Sequence, residues 1–190
     1  MKKNGSLVLN IHSGSGCGKS TIAAGVYTEL KLRHGNAELV REYIKKWAWK
    51  KTPPGKFDQI YVLGQQINAE SILYGQVEII ITDSPILLVS FYEQYLLGEG
   101  FLKNTTLDFM KYAESHGVTY LNFWLERPET FDTRGRYETK ETAMKIDVLM
   151  KDWLIKEAGI KLINLPADHN ERVRLILEEV AKYKTINPKV

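Results

Sequence analysis

The sequence predicts an α/β fold of three layers: a parallel sheet of about five strands, helices on both faces, and a small lid. Three observations predict it. Short strand-like runs alternate with longer stretches of helical periodicity along nearly the whole chain. One of those runs, 77–81, is apolar apart from a single acid and rich in β-branched residues, as expected of a strand covered on both faces. The candidate functional residues fall just after strand-like runs, where open parallel sheets bind their ligands.

Taken in order, Leu7-Val8-Leu9-Asn10-Ile11 reads as a strand and a Gly/Ser loop follows it. Ile22, Val26 and Leu30 then recur every fourth residue of a helix, which His34-Gly35-Asn36 stops. Residues 38–43 read as a second strand, and Thr52-Pro53-Pro54-Gly55 is a break. A helix over about 57–73 carries Ile60, Leu63, Ile67 and Leu73 near one stripe, and the 77–81 strand follows. Pro85 suits a helix start, so 87–97 reads as helical. A helix around 106–116 ends near Gly117, and 119–125 is a strand. Ile146, Leu149, Met150, Trp153 and Leu154 trace one helix face. Residues 160–165 form the last strand. Asp168 and Glu171 have capping-box spacing ahead of a helix faced by Val173, Ile176, Leu177 and Val180, with 184–190 as a tail.

Composition narrows the function classes. A chain of 190 residues suits one domain, 1–190, and 44% hydrophobic with 26% charged residues is globular rather than disordered. No apolar run approaches the roughly 20 residues of a membrane helix. Met1-Lys2-Lys3-Asn4-Gly5 leads straight into a strand, so the expected setting is cytoplasmic, without a membrane partner. Cys17 is the single cysteine, which excludes an internal disulfide framework and a multi-cysteine zinc site. Net charge is +3, but segment 41–56 holds six cations against one acid, a local +5 that leaves −2 for the rest.

Four constellations carry the chemistry. Ser13-Gly14-Ser15-Gly16-Cys17-Gly18-Lys19-Ser20-Thr21 joins a strand to a helix, the setting of a phosphate-binding P-loop. Its glycines let backbone N–H groups converge on phosphate oxygens, and the helix amino end adds favourable partial charge. Lys19 would reach the β- and γ-phosphates of ATP, and the Ser20 hydroxyl would ligate Mg²⁺. Ser13 stands where the strict pattern has glycine, so the loop entry is expected to differ slightly; Cys17 reads as a small loop residue. Asp83 closes the buried strand, where an acid holds Mg²⁺ or accepts a proton from an attacking hydroxyl; a helix N-cap is the structural alternative.

Glu42 places another acid at a strand end, ahead of Trp47 and Trp49 set among lysines. Tryptophan faces stack on bases and lysines neutralise phosphates, so the segment 42–66 is the expected acceptor-binding part. Arg127, Arg134 and Arg136 fall in a polar stretch, about 127–142, suited to a lid that closes over ATP and stabilises charge on the transferred group. Gln65 and Gln66 offer amides for a base edge.

The order of these motifs resembles the P-loop kinases, especially deoxynucleoside kinases. That family carries a glutamate with a tryptophan five residues on, as Glu42 and Trp47 are here, and a glutamine in the next helix, matched by Gln65. Its acidic-Arg-Ser motif is matched only by Asp83-Ser84, whereas its lid is closely similar to Arg134-Gly135-Arg136-Tyr137-Glu138. The chain also resembles nicotinamide riboside kinases and phage kinases acting on 5-hydroxymethyluracil within DNA. The resemblance implies a γ-phosphoryl transfer from Mg-ATP to a nucleoside-like hydroxyl, and the first reading of the acceptor is a 5-hydroxymethyl pyrimidine, 5-hydroxymethyluracil, in phage DNA. Lys19, Glu42, Asp83, Arg134 and Arg136 would be catalytic, and Glu42, Trp47, Gln65 and Arg127 would hold the acceptor. Glu42 and Asp83 both stand as candidate bases, and monomer and homodimer both stand open. A salvage kinase for free deoxynucleosides or nicotinamide riboside is the second reading. An ATPase switch without an acceptor is the third.

Overall fold

Strands and helices alternate as expected through the computed structural model, which describes residues 5–50, 55, 57–98, 100–129 and 139–186. Five strands form one sheet: β1 (Ser6–His12), β2 (Ala37–Val40), β3 (Ile79–Thr82), β4 (Val118–Leu125) and β5 (Ile163–Leu165). Their spatial order is β2-β3-β1-β4-β5, and every neighbouring pair is parallel. β1 is buried along its whole length, as the centre of such a sheet must be. The order reverses around β1, so the crevice beyond its carboxyl end is the natural ligand position.

Period-2 alternation in β1 sorts the core into two layers. Leu7, Leu9 and Ile11 pack with Ile22, Val26 and Ile176, from α1 (Lys19–Leu32) and α7 (His169–Ile186). On the opposite face Val8 and Ile80 meet Ala113 of α5 (Leu102–Ser115). Trp124 packs with residues of α3 (Asp58–Ser71), α4 (Ile86–Leu97) and α6 (Lys140–Lys156). A five-residue helix, α2 (Lys45–Trp49), lies on the connection from β2 to α3.

Where boundaries differ from the sequence expectation, tertiary hydrogen bonds account for it. β2 stops at Val40 instead of 43 because the Glu42 N–H donates to Asp83 Oδ1 at 2.8 Å and the Tyr43 N–H to Gln66 Oε1 at 3.3 Å. β3 begins at Ile79 instead of 77 because the Val77 N–H still bonds Leu73 O in a turn, while Ser6 Oγ donates to the Val77 carbonyl at 2.6 Å. α5 begins at Leu102, well before 106, because the buried Glu93 carboxylate accepts the Phe101 and Leu102 N–H groups. α7 runs on to Ile186 where a tail from 184 was expected, with Lys184 bonded to Glu78 at 2.6 Å. Its predicted start holds, since Asp168 Oδ1 accepts the Glu171 N–H at 2.8 Å.

Two helical faces are rotated from the expected stripe. Ile60 is 56% exposed, and the buried side of α3 is Gln59, Val62, Leu63, Gln66 and Glu70. Leu149 is likewise exposed, while Ala143 of α6 turns inward.

Glu70 has a consequence for stability. It is fully buried, accepts a hydrogen bond from Tyr74 Oη at 2.5 Å, and leaves Oε2 without a partner among the described residues. Burial pushes its carboxyl up to about 7, against the hydrogen bond from Tyr74. The folded state therefore holds a proton that the unfolded chain releases near its ordinary value, and stability falls as pH rises from about 4.5 to 7. The penalty above pH 7 is on the order of 3 kcal/mol. Denaturant unfolding at pH 5 and pH 8 is expected to show this loss in the native chain. Glu70→Gln should flatten the dependence, and an equal slope in both proteins would remove Glu70 as its source.

Candidate active site

The loop leaving β1 needs two backbone positions that only glycine adopts without strain. Gly16 has φ 88° and Gly18 φ 89°, and α1 starts directly behind them at Lys19. Ser13, in place of the pattern's glycine, brings no such strain: among the described residues the one non-glycine with positive φ is His34. Gly14 is required for another reason. Its N–H donates to Asp147 Oδ1 at 2.9 Å, and a Cβ there would stand 2.2 Å from that oxygen.

Lys19 lies folded over the loop entry, its Nζ donating to Ser13 O at 2.9 Å and Gly14 O at 3.0 Å. Lys45 of α2 reaches Ser20 Oγ at 3.3 Å, so the basic segment extends to the start of α1. Cys17 is buried, and burial, reinforced by Asp147, pushes its thiol up; the side chain stays a neutral packing group, as expected.

Asp83 is buried at the end of β3, next to β1 in the sheet, and its Oδ1 holds the Glu42 amide. The alternative N-cap role does not describe this bond, and Pro85 occupies the cap position of α4 without a side-chain bond. The same turn places Tyr43 on Gln66. Gln66 is buried, with Nε2 unpaired among the described residues, whereas Gln65 is half-buried. The buried amide beside Glu42 is therefore Gln66, one residue from the expected position. Tyr43 Oη and Tyr61 Oη lie 2.8 Å apart, and Lys46 Nζ sits 3.8 Å from the Tyr43 ring centre. Trp47 is half-buried and Trp49 is 66% exposed.

Beneath the loop the strand ends are polar. Asn10 Nδ2 donates to Asn122 Oδ1 at 2.9 Å, and His12 Nε2 lies 3.0 Å from the same oxygen. Burial brings His12 down to about 4, opposed by the Asn122 bond and aided by Lys19, so the imidazole is neutral at physiological pH. An oxygen already accepting from Asn10 makes Nε2 the protonated nitrogen.

Arg127, expected near the acceptor, forms an ion pair with Asp147 of α6, Nε to Oδ2 at 2.5 Å, with both side chains largely buried. Arg134 and Arg136, with most of the expected lid, fall within 130–138 and lie outside the described residues, as do 51–54 and 56 of the acceptor segment. The structure thus gathers Ser13–Thr21, Glu42, Gln66 and Asp83 at one end of the sheet and adds Asp147, His12 and Asn122, which no local motif marked.

A family model described as an AAA domain (AAA_28) matches residues 10–172. The chain belongs to this AAA domain family. Solved structures extend the comparison. Thymidylate kinase from Ehrlichia chaffeensis shares 13% identity at a TM-score of 0.63, over 93% of this chain and 99% of that one. Deoxyadenosine kinase from M. mycoides, with bound dATP, shares 18% identity at a TM-score of 0.56, over 93% and 99%. At these identities the likeness is one of fold, and it shows that this AAA domain has the three-layer P-loop kinase fold. A comparison with curated proteins found no match. Among the described residues of this AAA domain, no helix is long and apolar enough to cross a membrane.

Proposed function

We propose that this AAA domain is a kinase that moves the γ-phosphoryl group of Mg-ATP to a hydroxyl of a nucleoside-like acceptor. The observation that carries the reading is the pair of bonds from the β2–α2 turn, Glu42 N–H to Asp83 and Tyr43 N–H to Gln66. They set two carboxylates and a buried amide beside a strand–loop–helix phosphate cradle. The structural neighbours, a thymidylate kinase and a deoxyadenosine kinase, support it.

The residues divide the work by position. Amides of 15–20 and the Lys19 ammonium hold the polyphosphate, with the amino end of α1 behind it. Mg²⁺ prefers few protein ligands, all hard oxygens, and the Ser20 hydroxyl with the Asp83 carboxylate fits that preference. When bound, the ion neutralises charge on the β- and γ-oxygens. Asp83, buried and fixed by the Glu42 amide, serves the metal side. Glu42, on the turn whose N–H bonds Asp83, takes the proton from the acceptor hydroxyl. Arg134 and Arg136 supply positive charge to the transferred group.

Labelled ATP offered with deoxynucleosides, nicotinamide riboside and a nucleoside monophosphate tests the reading; label is expected in a nucleoside hydroxyl. ATP hydrolysis indifferent to every acceptor would instead favour a nucleotide switch. Gln66 gives a sharper expectation. Gln66→Leu should raise the acceptor KM roughly tenfold with the ATP KM unchanged, the cost of one lost hydrogen bond. Gln65→Leu should do little, and the reverse ranking would return the base contact to Gln65.

One observation favours a polymeric acceptor, a 5-hydroxymethyl pyrimidine within DNA. Trp49 is exposed beside exposed Lys46 and Lys50, with Arg41 on the same connection, a stacking face among phosphate-binding cations. Hydroxymethyluracil DNA and thymine DNA belong in the panel. Label confined to free nucleosides would reject this second reading.

A further inference from the structure

We infer that Arg172 is a positioning residue for the phosphate cradle, locking the Cys17–Gly18 peptide so that the Gly18 N–H faces the polyphosphate. Arg172 lies on the first turn of α7, directly behind the Asp168–Glu171 cap and far in sequence from the phosphate loop, and is 3% exposed. Its guanidinium donates to three backbone carbonyls in the segments that follow β1, β4 and β5. Nη1 bonds Cys17 O at 2.9 Å, Nη2 bonds Glu126 O beyond β4, and Nε bonds Pro166 O beyond β5. A planar fork with several fixed donors suits this task in a way an ammonium does not.

The lock matters because nothing local supplies it. In a trans peptide the carbonyl and the following N–H point in opposite directions. Holding Cys17 O against Arg172 therefore turns the Gly18 N–H away from α7. The next peptide is already held, since Gly18 O accepts the Ile22 N–H as the first bond of α1. The Cys17–Gly18 peptide has no such tie within the loop. Glycine takes positive and negative φ about equally, so a flip at Gly18, now at φ 89°, costs little without an outside restraint. Arg172 provides that restraint, with Nη1 only 3.9 Å from where a Gly18 Cβ would stand.

The same group also places a charge. Its hydrogen-bond partners are neutral carbonyls, and of the nearby carboxylates Glu126 is engaged by Lys151 at 2.9 Å while Asp168 caps α7. The buried cation thus adds attraction for a polyanion in the cradle.

This inference rests on the proposed ATP-binding reading, and the test separates the two. Calorimetric titration with ATP and with inorganic tripolyphosphate would be run on the native chain, Arg172→Lys and Arg172→Gln, well below each protein's Tm. Arg172→Gln is expected to weaken both ligands in parallel, by about tenfold to a hundredfold. Arg172→Lys keeps the charge but not the fork, and should recover only part of the loss. Folded variants with a lowered Tm but native tripolyphosphate affinity would overturn the inference and leave Arg172 merely structural. Native affinity in Arg172→Lys would overturn the peptide lock even if Arg172→Gln does not fold. A native chain that binds neither ligand would instead remove the proposed function itself.

Discussion

Lys19→Ala is expected to abolish phosphoryl transfer while leaving the chain folded. The side chain contributes little to the fold: it is half-buried, and its two bonds go to the carbonyls of Ser13 and Gly14 in the same loop. Such bonds are each worth about 1 kcal/mol net. Its part in the reaction is larger, because the charge on the transferring group must be matched by donors already in place. Loss of one such donor lowers turnover by about 10²- to 10³-fold, and loss of a full cation by at least as much. Turnover with the acceptor found in the panel, measured beside thermal unfolding, checks both halves. Retained activity would take Lys19 out of the phosphate site.

Asp147→Ala is expected to show the opposite pattern, a large loss of stability. Asp147 accepts the Gly14 N–H with one oxygen and pairs with Arg127 through the other, in a largely buried position. Removing the carboxylate breaks the ion pair with Arg127 and takes the acceptor from the Gly14 N–H, and breaking a buried pair in this way costs about 3–5 kcal/mol. In a chain of this size that lowers Tm by roughly 6–20 °C. Asp147→Asn keeps an acceptor for Gly14 and should lose less. Equal Tm values for the native chain and Asp147→Ala would show that the pair contributes no net stability. The variant also tests whether α6 steadies the loop, since Gly14 lies 133 residues from Asp147 in sequence and is joined to it by this bond.

What the sequence made legible was local. The phosphate cradle could be read because its chemistry lies in consecutive residues, and the parallel sheet because alternating runs carry it. Asp83 was read from its place after a strand-like run, and the structure has it buried directly behind β3. Residues whose roles depend on distant partners were not visible. Gln65 and Gln66 were both read as amides for a base edge, with Gln65 singled out by the resemblance, while the apolar stripe through Ile60 and Ile67 did not show which of them is buried. The true buried face includes Gln59, Gln66 and Glu70, which an apolar count scores as surface. The start of α5 depends on Glu93, eight residues before Phe101 and on another helix. Arg127 was placed with the acceptor because its partner, Asp147, lies twenty residues away on a helix read only for its apolar face. The segment 41–56 was read from its local +5 and its tryptophans, which did not show that Lys45 turns to Ser20 and Lys46 to Tyr43 while Trp49 remains exposed.

The proposed function requires that the loop from Ser13 to Thr21 grip a polyphosphate whose terminal group is transferred. Titrating Mg²⁺ and a non-hydrolysable ATP analogue into isotope-labelled protein, with backbone amide shifts as the readout, tests it most directly. Saturable shifts centred on Gly16, Gly18, Lys19 and Ser20 are the predicted result. Saturable binding that leaves those amides unmoved, or no binding at millimolar analogue, would contradict it.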